Sequence, residues 1–218
     1  MSNQLNQSSG LNNVTRSLAI NTYQLYEFED REAVEHWFRS FEKQFSVDRL
    51  SAFITTLGNA IGAKILNVSS TPYKPYGASA ALLVAQDVVA QAQHHIAHLD
   101  ASHIAAHSYF DAGERVAQFR LEIEISTCGA AHPCSLIDSV LRETKADFVQ
   151  LDYRVRGLAW HANGEPDLAA DKLTAGMCSV DGYESFFESS TGRGGSYVEL
   201  IRSDLPNSLD QLIEKMRR

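Results

Sequence analysis

Basic charge is scarce in this chain: 19 Lys and Arg stand against 27 Asp and Glu, a formal net charge of −8. A nucleic-acid or anionic-membrane binder carries a basic footprint, so both partner classes are excluded, while a cationic small molecule is compatible. Cysteine is also sparse. Cys128, Cys134 and Cys178 make an odd count with no C-x-x-C pair, which excludes a disulfide scaffold and suits a reducing, cytoplasmic setting. Long apolar runs are missing too, the longest being Ala80 to Ala85, far short of a membrane span. Residues 1–13 are rich in Asn, Ser and Gln with no apolar stretch, so the expectation is a disordered start and no signal peptide. With 218 residues the chain can bury a core without disulfide or metal.

Amphipathic patterning then organises the chain. Ser17 to Tyr26 alternates loosely as a strand. Asp30 caps a predicted helix with the stripe Val34, Trp37, Phe38, Phe41 and Phe45; Asp48 caps a second with Leu50, Phe53, Ile54, Leu57 and Ile61, closing at Gly62. Lys64–Ser69 and Ala80–Ala85 read as strands around the turn-rich Thr71–Gly77, and Gln86–Ala101 as an irregular surface excursion. Ser102–Tyr109 alternates with His103, Ala105, His107 and Tyr109 on one face. Phe119, Leu121, Ile123 and Ile125 form an apolar row opposite Arg120, Glu122, Glu124 and Ser126. Pro133 opens a helix to Ala146, and Val149–Val155 is a further strand. The expectation is an α+β two-layer sandwich: an antiparallel-rich sheet of about six strands with helices on one face. Beyond Leu158 the pattern weakens, and Thr191–Ser196 reads as a loop. His94, His95 and His98 have a helix-compatible metal spacing but no further ligand, so a solvated loop is preferred and no metal site is expected.

Three segments carry chemistry. They are Tyr73-Lys74-Pro75-Tyr76-Gly77-Ala78-Ser79, the run His98 to Tyr109 (HLDASHIAAHSY), and Ile125-Ser126-Thr127-Cys128-Gly129. An internal serine such as Ser102 can attack the preceding carbonyl, that of Ala101, converting amide to ester. β-Elimination then cuts the chain and leaves dehydroalanine, which hydrolyses to an amino-terminal pyruvoyl group. That route needs a proton-transfer group nearby, and His107, five residues on, is the expected one. Cys128 falls on the polar face of its strand with Ser126 and Glu124, where a reactive thiol belongs and a core cysteine does not.

Taken in order and at this spacing, the segments resemble the bacterial S-adenosylmethionine decarboxylases, self-cleaving pyruvoyl enzymes. Leu11 to Leu18 and Asp152-Tyr153-Arg154-Val155-Arg156-Gly157 are similar to the longer bacterial form. The likeness runs from about Leu11 to Gly164 and stops before the tail. It implies a disordered segment 1–13, a decarboxylase core 14–165 cleaved between Ala101 and Ser102, and a divergent extension 166–218. It implies a pyruvoyl cofactor derived from Ser102, with His107 as the processing histidine and Ser79 as the helper hydroxyl. Cys128 is the implied acid that reprotonates the α-carbon after carbon dioxide leaves. A pyruvoyl ketone forms a Schiff base with an α-amino acid and accepts the electrons of decarboxylation. Tyr73 and Tyr109 match the rings that flank the adenine, and Asp111 matches the ribose-binding glutamate, one methylene shorter and without the usual proline before it. Magnesium as activator, and a homodimer or dimer of dimers with two sheets face to face in four α/β/β/α layers, are further implications. The altered ribose position keeps a pyruvoyl arginine or ornithine decarboxylase open as an alternative. Ala101, where a charged residue is usual, keeps open a regulatory partner that has lost processing.

Overall fold

The computed structural model describes residues 14–85, 101–128, 131–160, 165–169, 172–188 and 195–217. Its centre is an eight-stranded antiparallel sheet in the order β2-β3-β4-β5-β1-β6-β10-β9. The strands are β1 (Thr15–Glu27), β2 (Lys64–Pro72), β3 (Ala78–Ala85), β4 (Ala101–Ala112), β5 (Val116–Cys128), β6 (Phe148–Arg156), β9 (Tyr183–Glu188) and β10 (Gly195–Arg202); β7 (Leu158–Trp160) and β8 (Pro166–Leu168) form a separate two-stranded pair. The helices are α1 (Arg31–Gln44), α2 (Val47–Ala60), α3 (Ile137–Thr144) and α4 (Asn207–Met216). This is the expected α+β class with an antiparallel sheet. None of the described helices is long and apolar enough to cross a membrane.

The alternation of β5 decides which side of the sheet is the core. Phe119, Leu121, Ile123 and Ile125 are all buried, and they join Leu18 and Ile20 of β1, Ile104 of β4 and Leu151 and Tyr153 of β6. Leu50, Ile54 and Leu57 of α2 and Val140 and Leu141 of α3 close over this face. Each such side chain contributes about 1.5–3 kcal/mol by leaving water. Asp30 caps α1 as expected, its carboxylate accepting from Glu32 N. Ser46, and not Asp48, occupies the N-cap of α2; Asp48 lies in the first turn, where its charge complements the helix dipole.

Two departures from the expected layout lie in the C-terminal third. The sheet has eight strands where about six were expected, because β9 and β10 extend it beyond β6. Also, α1–α3 lie on the core face, whereas α4 packs on the opposite one. Leu209 and Ile213 bury against Leu25, Phe148 and Ile201, residues one position out of phase with the core-facing row. Arg217 fastens the helix end, 2.6 Å from Glu199 Oε2 and with its guanidinium 4.2 Å over Phe186. Asp147 ties the same end together: its carboxylate accepts from Leu25 N at 2.7 Å and pairs with Arg202 at 3.0 Å. Of the expected loop Thr191–Ser196, Gly195 and Ser196 belong to β10, and 191–194 lie outside the described residues. His94, His95 and His98 lie outside the described residues.

Candidate active site

The face opposite the core carries His107 and Cys128, at opposite ends of β4 and β5. At one end the loop between β2 and β3 turns back onto β4. Tyr73 N donates to Gly77 O at 2.8 Å. Gly77 has φ +105, and a Cβ there would lie 2.5 Å from the Ser108 carbonyl oxygen, so only glycine fits. Tyr76 points inward, its ring 5.7 Å from both Phe38 of α1 and Phe110. Tyr73 points outward and shares a 3.0 Å hydrogen bond with His107 Nδ1. The bond fixes the imidazole and leaves Nε2 on the far side of the ring for proton transfer. Ser79 is the cross-strand partner of His107, and Glu122 is its partner on the other side.

Tyr109 follows on the same face. Its ring stacks on His107 at 6.3 Å and carries the Arg120 guanidinium at 4.5 Å. Burial, then the Glu122 carboxylate, raises its phenol above the ordinary value, with Arg120 pulling the other way. Tyr73 and Tyr109 are 6.2 Å apart and tilted by 33°. A base held between two rings needs about 7 Å, twice the contact distance of carbon atoms. Without a ligand each ring has a partner of its own, Tyr73 with His107 and Tyr109 with Arg120. Asp111 lies exposed on this face and accepts from Ala112 N at 2.9 Å.

At the other end, β4 begins at Ala101, and Ala101 and Ser102 pair in register with Ala85 and Val84 of β3. The β4–β5 ladder runs to His103↔Ser126, so Cys128 ends β5 beside the start of β4. Its neighbour on β1 is Thr15, whose hydroxyl lies 3.5 Å from the thiol sulfur, and Thr15 is in turn the partner of Arg156 on β6. One row along the sheet, His103, Ser126, Ser17 and Arg154 stand abreast. They line a cleft of about 390 Å³ together with Ala19, Glu124, Asp152 and Arg156. Arg156 donates to Ser17 Oγ at 3.0 Å, and Arg154 grips Asp152 through two bonds of 3.1 and 3.0 Å. Cys134 and Cys178 are buried in the core cluster; burial pushes the Cys178 thiol up to about 11. Among the described residues, no three His, Cys, Asp or Glu side chains come together to hold a metal.

The fold thus brings Tyr73, Ser79, His107, Tyr109 and Asp111 to one end and Ser102 and Cys128 to the other. It does not bring His107 within reach of Ser102 in the same chain. At roughly 3.3 Å per residue, five residues of strand separate them by about 17 Å. Sequence reasoning treated that spacing as a local pair, which holds for a helical turn and not for β4. It also passed over Thr15 and the Arg154–Arg156 cleft, whose signal was the alternation of Thr15, Ser17 and Ala19 with Arg154 and Arg156.

No family model matches the chain. It is 34% identical over 170 residues to an S-adenosylmethionine decarboxylase proenzyme of Pseudoalteromonas translucida, across 71% of this chain and 63% of that protein. It is 30% identical over 177 residues to a protein so named from Xanthomonas campestris, across 76% of this chain and 67% of the relative. The chain therefore spans about two thirds of the length of these relatives. Solved structures with the same activity in their descriptions, from Aquifex aeolicus (TM-score 0.38, 11% identity, 66% of this chain and 90% of that one) and Trypanosoma brucei (TM-score 0.42, 13%, 86% and 65%), are too distant to carry an argument. Relatedness at 30% identity over 76% of this chain and 67% of the relative makes the chain a member of the S-adenosylmethionine decarboxylase proenzyme family.

Proposed function

We propose that this protein cleaves itself between Ala101 and Ser102 and decarboxylates S-adenosylmethionine to the aminopropyl donor used for spermidine. Residues 14–165 form the catalytic core, residues 166–218 an extension on it, and the compartment is a reducing, cytoplasmic one. The observation that carries the reading is the meeting of the Cys128 end of β5 with the first residues of β4. A thiol there is a proton source beside the position where a pyruvoyl group would be made from Ser102, so the residues present fit that group. When formed, it supplies a carbonyl that withdraws electrons from the substrate's α-carbon. Cys128 delivers a proton to that carbon, and Arg154, Arg156 and the flanking serines order the cleft. Magnesium as activator is an implication of the resemblance alone, and no step here depends on it.

The 17 Å gap between Ser102 and His107 is closed by a second copy of the chain. Two sheets stacked through their polar faces, running in opposite directions, set the His107–Ser79–Tyr73 end of one protomer over the Ser102–Cys128 end of the other. A homodimer is thus the active unit, with two composite sites.

Separation of the chains under denaturing conditions is the first test. The purified protein should run as residues 1–101 and 102–218, the second without a free amino terminus, and Ser102→Ala should stay whole and inactive. Cys128→Ala should cleave normally and lose turnover by roughly 10²–10⁴-fold, the usual span of general acid–base catalysis. In co-expressed His107→Ala and Cys128→Ala chains, the His107 of the Cys128→Ala protomer should cut the His107→Ala protomer and restore at that one site activity that neither chain shows alone. An uncut, inactive native chain would point to a regulatory partner. Carbon dioxide release from arginine or ornithine, and none from S-adenosylmethionine, would move the enzyme to the alternative substrate class.

A further inference from the structure

We propose that Thr15 is the positioning residue for the Cys128 thiol; the proposal rests on the reading of Cys128 as the proton donor. Cys128 is the last residue of β5, so β5 itself fixes its side chain from one direction only. Across the sheet, Thr15 is its register partner at the first residue of β1. Their side chains share the polar face, with the hydroxyl oxygen 3.5 Å from the sulfur, within hydrogen-bonding range of a third-row atom. Thr15 is itself held in line by Arg156 of β6, its partner on the other side. The β-branched side chain adds stiffness, because threonine has few χ1 choices on a strand.

The arrangement suits both halves of a proton transfer. Before it, the Thr15 oxygen can accept the S–H and hold the thiol in one rotamer. In the transfer the S–H bond breaks, the proton forms the new C–H bond on the substrate carbon, and the electron pair stays on sulfur. Thr15 then turns its own O–H toward the thiolate and keeps its proton throughout, so it orients and stabilises without being consumed. A charge-assisted bond of this kind is stronger than the neutral one it replaces, which favours the state after transfer.

The test is alkylation of Cys128 by iodoacetamide at fixed pH, followed on its own peptide by mass spectrometry, alongside kcat and KM. Thr15→Val keeps the shape and strand propensity and removes the hydroxyl; Thr15→Ser restores the hydroxyl. Thr15→Val should slow alkylation by roughly 2- to 10-fold, the worth of one ordinary hydrogen bond, and lower kcat by a similar factor with KM unchanged. Cleavage into two chains should proceed as in the native protein, and Thr15→Ser should recover most of both rates. An unchanged alkylation rate in Thr15→Val, or equal loss in the serine variant, would overturn the proposal. Full turnover by Cys128→Ala would instead remove the reading on which it rests, and that result is read separately from the alkylation rates.

Discussion

The polar face of the sheet is divided into two unlike halves. Over β2 to β5, the first half of β1 and the Asp152–Arg156 end of β6, where no described helix packs, it carries Tyr73, His107, Glu122, Cys128 and the arginine-lined cleft. Over the Phe148 end of β6, β10 and β9 it is sealed by α4, whose Leu209 and Ile213 cover Leu25, Phe148 and Ile201. Both halves belong to one continuous hydrogen-bonded sheet, so backbone pairing does not distinguish them. The difference lies in the outward-pointing side chains, which are ionisable or hydroxylic in one half and aromatic or aliphatic at the base of the other. The sealed half stabilises the sheet, and the open half is the one to which the proposed second protomer and substrate are assigned.

The sharpest way to break that division is to unseal the covered half. Ile213 is fully buried, and Ile213→Ala should cost about 2–5 kcal/mol, the range for such truncations. Urea unfolding measures it, while cleavage at Ala101–Ser102 should be unchanged because the cut lies in the other half. A variant that is destabilised and also uncut would mean that the halves act as one unit.

In the open half, Asp111→Asn tests the proposed charge-assisted hydrogen bond to the ribose, which would be worth about 1.5–3 kcal/mol. KM for S-adenosylmethionine should rise accordingly, with little change in kcat, and Asp111→Glu should be tolerated. If KM does not move, Asp111 bonds only to its own backbone, as in the intact chain.

The smallest effect is expected with alkali, and it falls on the C-terminal region. Burial pushes Tyr183 up to about 12 and Cys178 up to about 11, and the Tyr183 hydroxyl donates to Ala146 O at 2.8 Å. In the unfolded chain these groups lose their protons near their ordinary values of 10.0 and 9.0. Between those values and the folded ones the native state holds more protons, so stability is fully present below pH 9 and falls as pH rises. Urea midpoints measured from pH 8 to pH 11 should decline, and the decline should flatten in Tyr183→Phe with Cys178→Ala. An equally steep decline in that double variant would assign it to other groups.

What the sequence alone determined follows from period and residue chemistry. Clean alternation in Phe119–Ser126 and Ser102–Tyr109 identified the strands and their faces, and the aromatic stripe of α1 identified its core side. Ser102, His107 and Cys128 could be nominated because the segments around them resemble the S-adenosylmethionine decarboxylases in order and spacing, and because those residue types can perform self-cleavage and protonation. Strand β10 was illegible because Val198, Glu199, Leu200 and Ile201 are all buried: with α4 covering its second face, the alternation that reveals a half-exposed strand is lost. Only the tertiary structure decided which candidates stand together. Sequence distance misleads in a sheet, where Ser102 and His107 are five residues and about 17 Å apart, while Thr15 and Cys128 touch across 113 positions. Register across neighbouring strands, which no local pattern encodes, sets both distances.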